Sequence, residues 1–210
     1  MKLLLVRHGE SLGNLKRQWQ GWMDVPLTDL GQDQALRLAE RLFRWSVENS
    51  VPIAAVYSST LTRAFQTASV LAERWSVPLV LDSRLRERDI GVLQGLTWSD
   101  VEHRYPDVAQ RIRQRWTVPA LPDGETTDQL TERVGRAIDE IVARTNGTGS
   151  GKAVVVVSHG GSINAYLNRL VGRSHEMPFI FRLGNTSLSI VELENGRSRI
   201  SLVNDLCHLD

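Results

Sequence analysis

Two histidines in this chain are each followed by glycine, and each stands at the end of an aliphatic run. Leu3 to Val6 leads into Arg7-His8-Gly9-Glu10-Ser11, and Ala153 to Val157 leads into Ser158-His159-Gly160-Gly161. A third run, Ile53 to Tyr57, ends in Ser58-Ser59-Thr60 and passes on to Arg63. If these runs are neighbouring strands, two imidazoles and one or two guanidiniums converge on one spot. That set suits a phosphoryl group, whose charge is spread over several oxygens and must be met by fixed cations during transfer. Arginine offers paired N–H donors in a planar fork. Glycine after each histidine lets backbone N–H groups come close to the oxygens. A neutral imidazole is nucleophilic near pH 7, provided its other ring nitrogen is held as a donor, most simply by a backbone carbonyl. The departing oxygen then needs a proton from a carboxylic acid. Glu87, in Arg86-Glu87-Arg88-Asp89, follows a strand and precedes the turn Ile90-Gly91, and ranks ahead of Glu10 and Asp89 for that role.

The elements that must position these groups follow from periodicity. Lys2 to Val6, Ile53 to Tyr57, Leu79 to Leu81 and Ala153 to Val157 read as short strands, and the four-residue all-apolar runs among them fit burial on both faces. Thr28 caps a helix whose inner face is Ala35, Leu38, Ala39, Leu42 and Phe43. Ala64, Ala68, Leu71, Ala72 and Trp75 mark a second helix. Leu130, Val134, Ala137, Ile138 and Ile141 mark a third, and Ile163 to Leu170 a fourth. Arg7 to Pro26 and Arg84 to Gly95 read as loops, the first long enough to be functional. Leu188 to Leu193 and Ile200 to Val203 read as strands joined in a hairpin across Asn195-Gly196. The alternation predicts an α/β fold in three layers, α/β/α, around a mostly parallel sheet. Residues 1–210 read as a single domain, with a small helical cap inserted at 97–122. In such sheets ligands bind beyond the carboxyl ends of the strands, where the histidines stand.

Composition removes other classes. Lys+Arg 25 against Asp+Glu 24 leaves a net charge of +1, without the cation excess of a nucleic-acid binder. Cys207 alone cannot form an internal disulfide, which fits a reducing compartment. No apolar run approaches the ~20 residues that span a bilayer, and Leu3 to Val6 is too short for a signal peptide core. The expectation is a cytoplasmic protein with no membrane association. Gly147 to Lys152 mimics a phosphate-binding loop but has Asn146 at the first glycine position, Ala153 after the lysine, and a strand after rather than before it. It reads as a flexible turn. His103, His175 and His208 show no metal-ligand spacing; the first two read as surface residues and the third as packing near the sheet. Arg111, Arg113 and Arg115 read as a solvated helix face. Trp19, Trp22, Trp98 and Trp116 fit an apolar pocket or simple packing equally well.

Several blocks, taken together, resemble the phosphoglycerate mutase-like branch of the histidine phosphatase superfamily. They are Arg7-His8-Gly9-Glu10-Ser11 with Asn14, Gln20 to Thr28, Ser58 to Ala68, Leu85-Arg86-Glu87 through Gly95, and Ser158 to Gly161. Asn185-Thr186-Ser187 and the tail from Asn204 to Leu209 also look like this branch. Five blocks in order are far more specific than a lone Arg-His-Gly. The resemblance implies a phosphohistidine mechanism without a metal or other cofactor. It makes His8 the nucleophile, Glu87 the proton donor, and Arg7, Arg63 and His159 the groups that hold the phosphoryl oxygens. Asn14 and the backbone of Gly160 add hydrogen bonds, and Gln20, Gly21 and Trp98 are implied to meet the substrate.

Mutases of the branch are longer and carry an insertion after the acid block with paired arginines, which the interval from Glu87 to Pro122 lacks. Ile90 stands where they place Tyr and Trp98 where they place Lys. Losing a cation from a site that must orient an anion both ways round penalises the mutase reaction. The expectation is therefore an acid-type histidine phosphatase, a phosphomonoesterase acting on a small phosphorylated metabolite. A cofactor-dependent phosphoglycerate mutase is the first alternative, and a non-catalytic phosphoester-binding protein the second. An exposed strand edge would allow a homodimer, but no residue pattern requires one.

Overall fold

The computed structural model describes residues 1–115, 121, 123–146, 151–173 and 180–210. Six strands form one sheet, β1 (Lys2–Arg7), β2 (Ile53–Ser58), β3 (Leu79–Leu81), β4 (Ala153–Ser158), β5 (Leu188–Glu194) and β6 (Arg197–Asp205), in the order β3-β2-β4-β1-β5-β6. The first four run parallel. β5 and β6 extend the sheet as an antiparallel hairpin. Its turn is Asn195-Gly196, both at positive φ, the pair that suits the twist of a two-residue hairpin loop.

Side-chain alternation along the central strands builds the layers. Leu3 and Leu5 of β1 and Val154 and Val156 of β4 face one core. There they meet Leu130, Val134, Ile138 and Ile141 of α6 (Thr127–Asn146) and Ile163, Tyr166 and Leu167 of α7 (Gly160–Leu170). Leu4, Val6, Val155 and Val157 face the other core. It is filled by Leu38 and Leu42 of α2 (Asp29–Glu48) and by Ala64, Ala68 and Leu71 of α3 (Thr62–Trp75). The central strands are thus covered on both faces, as their all-apolar runs predict, while β3 at the sheet edge leaves Val80 and Leu81 exposed. Thr28 caps α2 as expected, its side chain accepting from the Gly31 N–H.

Two local features differ from the sequence reading. The long first loop contains a one-turn helix, α1 (Leu12–Leu15), closed by a reciprocal cap between Ser11 and Asn14; four residues are too few to show a period. The fourth helix starts at Gly160, three residues before its apolar face begins at Ile163. In the segment after Thr97, Pro106 stands at the junction of two short helices. It opens α5 (Pro106–Arg115) directly after α4 (Trp98–Arg104), because a first-turn position needs no N–H donor. A third, small cluster of Ile90, Leu93, Val101 and Ala109 lies under α4 and α5, with Trp19, Trp98 and Tyr105 packed on it. Trp116, His175, Pro122 and the glycine-rich residues 147–150 lie outside the described residues, as does the side chain of Arg115.

The site is set by one topological feature. β1 and β4 are neighbours in register, Arg7 beside Ser158. After β1 the chain leads to α2 on one face, and after β4 to α7 on the other. The crevice between the diverging chains is where an open α/β sheet offers a binding site, and the next residues are His8 and His159. The packing account predicts that Leu38→Ala, at a fully buried position, costs about 2–5 kcal/mol in denaturant unfolding; a loss below about 1 kcal/mol would contradict the assigned core.

Candidate active site

His8 and His159 stand with ring centroids 5.1 Å apart and are both essentially without solvent exposure. His8 Nδ1 lies 2.7 Å from the carbonyl oxygen of Gly9. A carbonyl can only accept, so Nδ1 carries the proton and Nε2 keeps its lone pair. The backbone of His8 is fixed as well: its N–H donates to Ser158 O, and its carbonyl accepts from the Thr186 N–H and the Asn185 amide. Burial first, and then Arg63 and Arg7, hold the His8 imidazole well below its ordinary value of 6.5. Burial, Arg63 and His8 do the same to His159. Both rings are therefore neutral at neutral pH.

The guanidiniums are held by backbone carbonyls, which position them without cancelling their charge. Arg63, 1% exposed, donates from its two terminal nitrogens to Gly21 O and Met23 O, both at 2.8 Å. Arg7 donates to Leu183 O at 2.5 Å. Neither forms an ion pair with a carboxylate among the described residues. Burial, opposed by Glu87, leaves Arg63 at about 10, still charged at neutral pH. The Nε atoms of both arginines and Nδ1 of His159 are buried without a hydrogen-bond partner among the described residues. An unpaired buried polar nitrogen costs about 1–3 kcal/mol. These three, two of them on arginines that form no ion pair with a carboxylate among the described residues, suit an anion cage better than a structural network.

Glu87 forms one wall. Its Oε2 accepts from the Gly161 N–H at 2.8 Å, and its Oε1 accepts from the Ser162 N–H at 3.1 Å. The carboxyl group thus sits on the amino end of α7, the helix that His159 begins. A Cβ on Gly161 would come 2.4 Å from Glu87 Oε1, so any side chain there would push the Glu87 carboxyl group from its place. The two weaker acid candidates are engaged locally. Glu10 accepts from the Thr28 hydroxyl, and Asp89 from the Gly91 N–H and the Gln94 amide.

The remaining predicted residues divide. Asn14 uses its side-chain oxygen to accept from the Ser11 N–H and the Asn185 amide. The oxygen of Gln20 accepts from the Ser11 hydroxyl at 2.8 Å. Gly21, at φ +50 and with a Cβ position 2.6 Å from Ile90, holds Arg63 through its carbonyl. Gly160 packs against Arg7. Trp98 is stacked with Trp19 at 6.3 Å in the small third cluster, apart from these contacts. His208 packs as expected, bonded to Thr186. Among the described residues no group of three His, Cys, Asp or Glu could hold a metal ion. A groove of about 690 Å³ at the opposite end of the sheet, lined by Met1, Lys2, Glu192 and Arg197 among others, contains no histidine or cysteine.

Several supporting residues escaped the sequence reading. Ser59 Oγ lies 2.8 Å from His159 Nε2. Arg133 donates to the carbonyls of Arg84, Arg86 and Glu87 and is paired with Glu125, so α6 holds the loop that carries Glu87. Asp24 accepts from the Thr62 N–H and ties the 20–25 loop to the start of α3. Nothing in local periodicity marks such long-range bonds.

A model of the "Histidine phosphatase superfamily (branch 1)" matches residues 3–206. The chain belongs to this family. Within it, the "Phosphoglycerate mutase-like protein 4" of Arabidopsis thaliana is 34% identical over 212 residues, covering 100% of this chain and 87% of that protein. The "Metal-independent phosphoserine phosphatase" of the same plant is 33% identical over 210 residues, covering 99% and 83%. Among solved structures, a mycobacterial glucosyl-3-phosphoglycerate phosphatase in complex with VO3 superposes with a TM-score of 0.84 at 30% identity, covering 97% of this chain and 98% of that one. The described layers and strand order are those of a histidine phosphatase fold.

Two predictions follow from the cage. Arg63→Lys, which cannot hold Gly21 O, Met23 O and an anion from one nitrogen, weakens inhibition by inorganic phosphate about tenfold or more, roughly the worth of one charge-assisted bond. An unchanged inhibition constant would remove Arg63 from the cage. The second concerns stability. Both histidines are depressed, so below pH 6.5 the unfolded chain takes up protons that the folded one refuses, and stability falls as pH drops. In His159→Gln the loss between pH 7 and pH 5, read by urea unfolding, is shallower than in the parent chain; an equal or steeper loss would contradict the neutral buried ring.

Proposed function

We propose that this protein is a metal-independent phosphomonoesterase that works through a phosphohistidine on His8. The observation that carries the reading is the buried Nδ1–H bond of His8 to Gly9, which leaves Nε2 unprotonated in a site whose charges are Arg63 and Arg7, neither ion-paired with a carboxylate among the described residues. Nε2 of His8 attacks phosphorus, and the bond from phosphorus to the ester oxygen breaks. Glu87, in its protonated form, donates its proton to that oxygen. Arg7, Arg63, His159, Asn14 and the Gly160 N–H hold the three remaining oxygens as charge shifts among them. In the second half, Glu87 takes a proton from water, water oxygen bonds to phosphorus, and the His8 N–P bond breaks to release phosphate. The chain's own groups supply every proton and charge in this sequence, so no cofactor is needed.

The substrate is a small phosphorylated metabolite. Two of the three relatives described above are named as phosphatases, one for phosphoserine and one for glucosyl-3-phosphoglycerate. α4, α5 and their small apolar cluster serve as the cap, part of the 97–122 segment, that closes over the substrate. The exposed free Cys207 fits a reducing cytoplasm. No described helix is long and apolar enough to cross a membrane.

Phosphoglycerate mutase remains the second reading, because one relative is named mutase-like. Incubation with 3-phosphoglycerate and a bisphosphoglycerate primer separates the two; interconversion faster than phosphate release would replace phosphatase by mutase. For the mechanism, His8→Ala lowers p-nitrophenyl phosphate turnover on the order of 10³-fold or more, and the phosphoenzyme trapped by acid-free quench disappears. Glu87→Gln costs about 10²–10⁴-fold on alkyl phosphates and less on p-nitrophenyl phosphate, whose leaving group needs little protonation. An equal loss on both substrates would deny Glu87 the role of acid.

A further inference from the structure

We propose that Arg86 receives a carboxylate carried by the leaving group of the substrate; this rests on the phosphatase reading above. The general acid must stand on the leaving-group side of phosphorus, because its proton goes to the departing oxygen. Arg86 is the residue before that acid. Its Nε donates to Thr60 Oγ1 at 2.6 Å, and Thr60 follows Ser59, the partner of His159. Its guanidinium lies over the ring of Trp22, 5.1 Å from the centroid. Trp22 in turn donates its indole N–H to the Glu87 carbonyl at 2.7 Å. Arg86 is therefore braced on two sides, by Trp22, which is bonded to the Glu87 backbone, and by Thr60, the chain neighbour of the residue bonded to His159.

Bracing uses one nitrogen and one face of the fork. The two terminal nitrogens have no hydrogen-bond partner, and no carboxylate lies within ion-pair distance among the described residues. Nearby arginines are committed differently. Arg84 is paired with Asp82 and Glu140, and Arg133 with Glu125. The phosphoryl group is already met by Arg7, Arg63 and two imidazoles, which leaves Arg86 to act on the rest of the molecule. A fork with two parallel donors matches a planar carboxylate, and stacking on an aromatic ring fixes its plane. One such cation orients the anion in one direction only, which suits hydrolysis and not the two-way exchange of a mutase.

The test is a matched pair, 3-phosphoglycerate and glycerol 1-phosphate, which differ in a carboxylate against a hydroxymethyl group. The parent enzyme prefers the first by kcat/KM. Arg86→Gln, which keeps the bond to Thr60, and Arg86→Ala both lower that preference at least tenfold, and Arg86→Lys retains part of it. Unfolding midpoints within a few degrees of the parent confirm that the variants fold; a variant that unfolds is replaced by Arg86→Lys against Arg86→Gln alone. A preference within twofold of the parent's in the variants overturns the assignment while leaving phosphatase activity in place. No turnover of p-nitrophenyl phosphate by the parent enzyme overturns the phosphatase reading and this inference with it.

Discussion

Two imidazoles and two guanidiniums below the surface of a protein repel one another once the rings are protonated, and the whole site depends on keeping those rings neutral. Burial does most of this, and the arginines add to it. The same charges that suppress protonation of His8 are the ones an anion neutralises, so binding a phosphoryl group relieves the repulsion. The Gly9 carbonyl completes the arrangement by deciding which nitrogen of His8 keeps its lone pair. Chemistry and instability have one source here: buried nitrogens without partners are costly in the free protein and useful in the complex.

The supports are made of backbone rather than of counterions. Carbonyls of Gly21, Met23 and Leu183 hold the arginines, and N–H groups at the start of α7 hold Glu87. A carboxylate paired with Arg63 would have fixed it equally well and removed half of its attraction for an anion. Long loops are needed to bring such carbonyls into place, which accounts for the stretch from His8 to Thr28. Arg133 extends the logic to the acid, since its three carbonyl contacts fix the loop from Arg84 to Glu87 from the face of α6.

Much of this was legible in the amino-acid order, and the rest was hidden for physical reasons. The strands and the main helices show because burial on both faces forces unbroken apolar runs and 3.6-residue periods. His8, His159, Arg7 and Arg63 show because each follows such a run. The tautomer of His8 was anticipated in kind, as a bond to a backbone carbonyl, and the structure identifies that carbonyl as Gly9. Gly161 was readable as half of a glycine pair, but only coordinates reveal that it makes room for Glu87. Ser59, Arg133 and Asp24 act across separations of many residues, where no local pattern reports them. α1 and the first turn of α7 were missed because their sequences carry no apolar period.

The direct test of the central claim is the protonation state of His8, read by long-range ¹H–¹⁵N NMR of the imidazole nitrogens. From pH 7.5 to pH 6.0 the account predicts a neutral ring with the proton on Nδ1 and a bare Nε2. In His8 a proton on Nε2, or an imidazolium already formed at pH 7, would contradict it.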